Sequence, residues 1–151
     1  MSDRSEPLAS RPVVLLVVAS LQLRSAIRQC LLAVRPDCVY LEAASGEEAI
    51  GICQAQAAEL VLLDMRLPGI NAQDTTRRIK TMTPAAQIVL LAEPYEVAWL
   101  RFDPEHGASG SICKDFLYEE LDLMVPMYLG RRGPDGRHRA GPDAASPSAD
   151  G

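Results

Sequence analysis

The chain has 151 residues, 48% hydrophobic and 23% charged, with a mean hydropathy of +0.01 and a formal charge of −5. Those figures fit one soluble globular domain with a sizeable core, and they exclude a mostly disordered or fibrous protein and a second large domain. The acidic balance argues against a nucleic-acid module held by phosphate contacts, and with aromatics at 5% the core has to come from Leu, Val, Ile and Ala.

Residues 1–11 are polar and contain Pro7, so a disordered start is expected before the domain opens at about residue 12. Val13 to Val18 is a continuous run of Val and Leu, the pattern of a parallel strand buried on both faces. Leu23, Ile27, Cys30, Leu31 and Val34 recur at spacings of three and four and mark a helix, which Arg35-Pro36-Asp37 breaks. Cys38 to Ala43 reads as a second strand. Ser45 stands three residues before Glu48, a capping box that opens a helix running to about Gln56. Leu60 to Leu63 forms the third strand, and a Pro68-Gly69 loop leads from Asp64 to a polar helix over 72–81. Ile88 to Leu91 is the fourth strand, Pro94 to about Phe102 a helix, and Ser111 to Cys113 the fifth strand. Phe116 to Leu129 is the last helix, where Pro126 predicts a kink or an early end because it removes a hydrogen bond and crowds the preceding turn. Residues 131–151 are rich in Gly, Pro, Ser and Asp and read as a disordered, solvated tail. Its Arg131, Arg132, Arg137 and Arg139 could also touch an acidic partner or a membrane.

The charge is uneven. Residues 13–129 hold nine Lys/Arg against fifteen Asp/Glu, whereas 130–151 hold four Arg against three Asp. The apolar run at Val13 is far too short to span a bilayer, and the acidic start has no signal-peptide layout, so a cytoplasmic location with no membrane or nucleic-acid partner is expected. Cys30, Cys38, Cys53 and Cys113 form no C-x-x-C pair, which suggests reduced, mostly buried thiols rather than a zinc site. His106 and His138 have no partner at ligand spacing. Five strands alternating with five helical patterns argue for an α/β domain with a parallel sheet covered on both faces. Ligands in such folds sit outside the carboxyl ends of the strands, where Asp64 lies.

Three segments carry a resemblance. Leu60-Val-Leu-Leu-Asp-Met-Arg-Leu-Pro-Gly-Ile70 delivers an aspartate at a strand end with Pro-Gly four and five residues on; Gly107-Ala-Ser-Gly-Ser-Ile-Cys-Lys-Asp115 leads into the last helix; Ala43-Ala-Ser-Gly-Glu-Glu-Ala49 opens the second. Over about residues 12–130 the chain resembles the receiver domain of bacterial two-component response regulators. The resemblance implies a flavodoxin-like, doubly wound (βα)5 fold with strand order 2-1-3-4-5. It also implies phosphoryl transfer from a sensor kinase's phosphohistidine to a strand-three aspartate, assisted by Mg²⁺.

Carried over by position, Asp64 matches the phosphoacceptor, Lys114 the phosphate-pairing lysine, and the Arg66 carbonyl the backbone metal ligand. Three positions depart. Val18 and Ala19 stand where the family has an acidic pair, or Ala19 and Ser20 if the register shifts by one; Ala92 replaces a Thr or Ser; Ser111 replaces an aromatic switch. With the carboxylate pair gone, Lys114 is expected to neutralise Asp64 directly. Two unit charges at about 4 Å and an effective dielectric near 20 attract by about 4 kcal/mol before desolvation. Glu93 could turn toward the pocket as a substitute carboxylate, although a solvent-facing loop acid is the ordinary expectation for it. Asp74 and Asp115 read as helix acids outside the site. Trp99 and Tyr95 fall on the fourth helix, as an interface or as half-buried packing.

The preferred expectation is a stand-alone atypical receiver, not an enzyme, acting through protein-protein contacts with weak or no Mg²⁺-dependent phosphorylation and no other cofactor. Its partner would be a histidine kinase or a downstream effector, and a homodimer stays open. Two alternatives stand beside it: a regulator phosphorylated on Asp64, with Mg²⁺, and a pseudo-receiver binding a small molecule in the vacated pocket. After Leu129 too little chain follows for an output domain, while a fragment of a larger regulator also stays open.

Overall fold

A computed structural model describes residues 11–100 and 107–130. In chain order the elements are β1 (Val13–Val17), α1 (Leu21–Val34), β2 (Val39–Ala43), α2 (Gly46–Ala55), β3 (Leu60–Asp64), α3 (Ala72–Met82), β4 (Gln87–Ala92), α4 (Pro94–Leu100), β5 (Gly110–Cys113) and α5 (Leu117–Leu129). A 3-10 turn over Lys114–Phe116 joins β5 to α5. The expectations for residues 1–10, for Phe102 and His106, and for the tail with its arginines and His138 lie outside the described residues.

The five strands form one parallel sheet in the order β2-β1-β3-β4-β5. The unbroken apolar runs are explained by burial on both sides. Every residue of β1 and of β3 is buried, and successive side chains alternate between two cores. Val13, Leu15, Val17, Val61, Leu63, Ile88 and Leu90 face one, with Ala49 and Cys53 of α2 and Ala72 and Ile79 of α3. Val14, Leu16, Val18, Leu60, Leu62, Val89, Leu91 and Ile112 face the other, with Ile27 and Leu31 of α1 and Leu121, Val125 and Leu129 of α5.

Helix starts follow local capping chemistry. The Ser20 hydroxyl accepts from the Leu23 N–H at 3.2 Å, so α1 begins two residues before the apolar periodicity does. At α2 the Glu48 N–H donates to Ser45 Oγ at 3.1 Å, while the Glu48 carboxylate reaches back to the Ala44 N–H at 2.7 Å, one residue earlier than the usual return of a capping box. Asn71 caps α3 through the Asp74 N–H. Of the two outcomes expected at Pro126, the early end does not occur. The last helix starts one residue late, at Leu117, but does not stop early: it continues to Leu129, because Leu121, Val125 and Leu129 are all buried against the sheet and hold the last turn in place.

Candidate functional site

Because the strands are parallel, the segments that follow β1, β3, β4 and β5 meet at one edge of the sheet. Asp64 ends β3 opposite Leu91 of β4 and is 5% exposed. Lys114 follows β5, and its Nζ lies 2.8 Å from Asp64 Oδ1. The Arg66 N–H donates to the same oxygen at 2.9 Å, so both contacts fall on Oδ1 and leave Oδ2 outside them. The two residues expected to face each other therefore do so, as a charge-assisted pair in a partly dry setting.

Glu93, its side chain 36% exposed, turns partly toward the pocket. Its Oε2 lies 3.5 Å from Lys114 Nζ, placing two carboxylates around one ammonium. At the end of β1 the positions that depart from the family pattern are apolar or used for structure. Val18 is buried, Ala19 is exposed and Ser20 caps α1. The Val18 carbonyl accepts from Arg24 Nη1 at 2.7 Å, and Arg24 Nε pairs with Glu42 of β2 at 2.8 Å. Ala92 is buried, and Ser111 sits partly buried on edge strand β5. Asp115 lies exposed in the 3-10 turn, and Asp74 pairs with Arg77 on α3.

The loop after Asp64 is held by α2. Gly69 adopts φ +75°, and an added Cβ would come within 2.5 Å of Glu47 Oε2. The Glu47 carboxylate accepts from the Ile70 N–H at 3.1 Å, so a residue with a side chain would be both strained and in the way. On the other side, the Arg66 side chain reaches α4. Its Nε is 3.6 Å from Glu96 Oε2, and its guanidinium lies 5.6 Å from the Tyr95 ring centroid. Tyr95 and Trp99 are 62% and 50% exposed, so Trp99 is half-buried, as either of its two expected roles would have it.

Sequence reasoning missed Arg24, Glu47 and the Arg66–Glu96 contact. The first two act on distant segments and leave no local signal. Glu96 did leave one: Glu93-Pro94-Tyr95-Glu96 has Pro at the first helical position and an acid at the third, and Glu96 Oε1 accepts from the Glu93 N–H at 2.8 Å.

Comparison with known proteins decides the family. The model of the response regulator receiver domain matches residues 14–126. The chain belongs to the response regulator receiver family. It is similar to the response regulator UvrY of Escherichia coli K12, at 32% identity over 120 residues, covering 79% of this chain and 55% of UvrY. The receiver-family chain thus spans about half the length of the curated relatives it matches. Among solved structures it is similar to a LuxR-family two-component response regulator from Aurantimonas sp. SI85-9A1, at 28% identity and a TM-score of 0.69, covering 93% of this chain and 97% of that one. The chemotaxis response regulator CheY4 of Vibrio cholerae shares the fold at 21% identity and a TM-score of 0.69, covering 79% and 99%. Receiver domains interact with histidine kinases and effectors and are generally non-enzymatic signalling proteins. Among the described residues no helix is long and apolar enough to cross a membrane.

Proposed function

We propose that this receiver, spanning residues 12–130, works in two-component signalling mainly through protein-protein contact, with weak or no Mg²⁺-dependent phosphorylation of Asp64. The observation that carries this reading is the charge balance at Asp64. The carboxylate is buried and already faces an ammonium at 2.8 Å, and β1 ends in a valine, an alanine and a guanidinium contact where the family has carboxylates. The donors present do not fit Mg²⁺, which needs near-octahedral oxygen ligation and gives up water reluctantly. The Val18 carbonyl is engaged by Arg24, and Asp64 Oδ1 and Glu93 share Lys114, which leaves Asp64 Oδ2 and the Arg66 carbonyl; among the described residues no group of three acidic, His or Cys side chains is placed to hold a metal. Lys114 supplies the positive charge instead.

The contact surface in this reading is α4, where Tyr95 and Trp99 stand exposed and Arg66 links Tyr95 to the Asp64 loop. Its partner is a histidine kinase or a downstream effector, met in the cytoplasm. Exposed aromatics next to an Arg are the residue types that anchor interfaces.

A second reading, a regulator phosphorylated on Asp64, draws support from Glu93, which brings a carboxylate to the pocket. Intact-protein mass spectrometry after incubation with acetyl phosphate and MgCl2 separates the two. The first reading expects substoichiometric or no labelling. Stoichiometric phospho-Asp64, lost in Asp64→Asn, would sink it.

A further inference from the structure

Glu93 is the charged residue at this edge that neither the acceptor nor the lysine accounts for. Its backbone is fixed by the first turn of α4: its N–H donates to Glu96 Oε1 at 2.8 Å, and its carbonyl accepts from the N–H groups of Glu96 and Val97 at 2.9 and 3.0 Å. The side chain takes no part in that turn. It extends to Lys114, with Oε2 3.5 Å from Nζ. A lysine ammonium has three donors. Here one points to Asp64 Oδ1 and a second faces Glu93, on a side chain only 17% exposed. Ala92, immediately before, brings no hydroxyl that could take over as donor to an arriving oxyanion.

We infer that Glu93 is a built-in competitor for Lys114: its carboxylate takes the ammonium position that a phosphoryl oxygen on Asp64 would need, and so holds the site in a resting form. The inference rests on the reading of Asp64 as a weak acceptor and adds a cause independent of the missing carboxylates after β1. Glu93 is a positioning residue that acts through Lys114. An incoming phosphoryl group must displace it and also meets its negative charge, both of which disfavour phosphorylation.

The test compares the wild-type full chain with Glu93→Gln, using acetyl phosphate with MgCl2 as the probe. In that reaction an Asp64 oxygen attacks phosphorus, the bond from phosphorus to the acetyl oxygen breaks, and acetate leaves with the electron pair. Glu93→Gln is expected to raise the initial rate of phospho-Asp64 formation about two- to fivefold, the range set by a partly exposed ion pair. It should also move the NMR signal of Lys114 Cε at neutral pH, a signature of the lost 3.5 Å contact that a role confined to the backbone turn of α4 would leave unchanged. Glu93→Ala keeps every backbone bond of the first turn of α4 and should match Gln. Equal labelling in wild type and both variants, including none in any, overturns the inference, as does an unmoved Lys114 Cε signal. Slower labelling overturns it too, because Glu93 then assists. Stoichiometric labelling of the wild type would break the proposed function but leave the ratio of rates readable, so the two failures are distinguishable.

Discussion

Two ion pairs lie at opposite edges of the sheet, and they are built differently. At the edge where β2 begins, Arg35 and Asp37 are joined by two parallel bonds of 2.9 Å, with Asp37 1% exposed. The third arm of the guanidinium donates to the Gly130 carbonyl at 2.7 Å, where α5 ends, and the Tyr40 hydroxyl donates toward the carbonyls of Leu31 and Arg35. Burial works to lower the Arg35 pKa, but the hydrogen bond to Asp37 and the surrounding charges outweigh it and leave it raised. At the other edge Asp64 meets Lys114, a flexible point charge, through one oxygen, and a second carboxylate contests the lysine. The first pair ties α1, β2 and α5 together with a planar fork. The second is open to exchange. A buried ion pair in which each guanidinium nitrogen is engaged is a clasp, whereas one with a spare oxygen and a rival partner suits a binding site.

The sharpest way to break this contrast is to remove one carboxylate at each edge and compare urea unfolding. Asp37→Ala leaves a buried guanidinium without its counter-charge and should cost about 3–5 kcal/mol. A loss near zero would mean that water reaches Arg35 and that no clasp exists. Asp64→Asn should cost less than about 1 kcal/mol, since Lys114 keeps Glu93 as a partner and retains some solvent contact. Equal losses at the two sites would erase the distinction.

Much of the fold was legible because its signals are local. The Val and Leu runs of β1 and β3, the Ser45–Glu48 cap and Asp64 at a strand end each announce themselves within a few residues, and the receiver resemblance supplied the strand order and Lys114. What stayed hidden depends on chain segments brought together by folding. Arg35-Pro36-Asp37 read only as a helix breaker, because the carbonyl that completes the clasp lies 95 residues away. Arg24 finds Glu42 eighteen residues on, through the pairing of β1 with β2. The contact of Glu93 with Lys114 exists because β4 and β5 are neighbours. At Pro126 the local penalty is real, but burial of the surrounding leucines and valine keeps the helix from ending there.

The smallest effect near neutral pH comes from Cys38, which sits beside the clasp and is 6% exposed. Burial, followed by the negative charge of Asp37, pushes its thiol up to about 11. The folded chain therefore holds this proton more tightly than the unfolded chain, whose cysteines titrate near their ordinary value of about 8.5. Stability from this group is fully present below that value, begins to fall as pH rises past it, and is gone above about 11, so it leaves the pH 7 unfolding curve untouched. In a chain whose other cysteines, Cys30, Cys53 and Cys113, are changed to Ser, thiolate absorbance should rise near pH 11 in the folded protein and two or so units lower in urea. A folded-state midpoint at the urea value would show that the Arg35–Asp37 edge is as wet as the Asp64 edge, and the two pairs would no longer differ in kind.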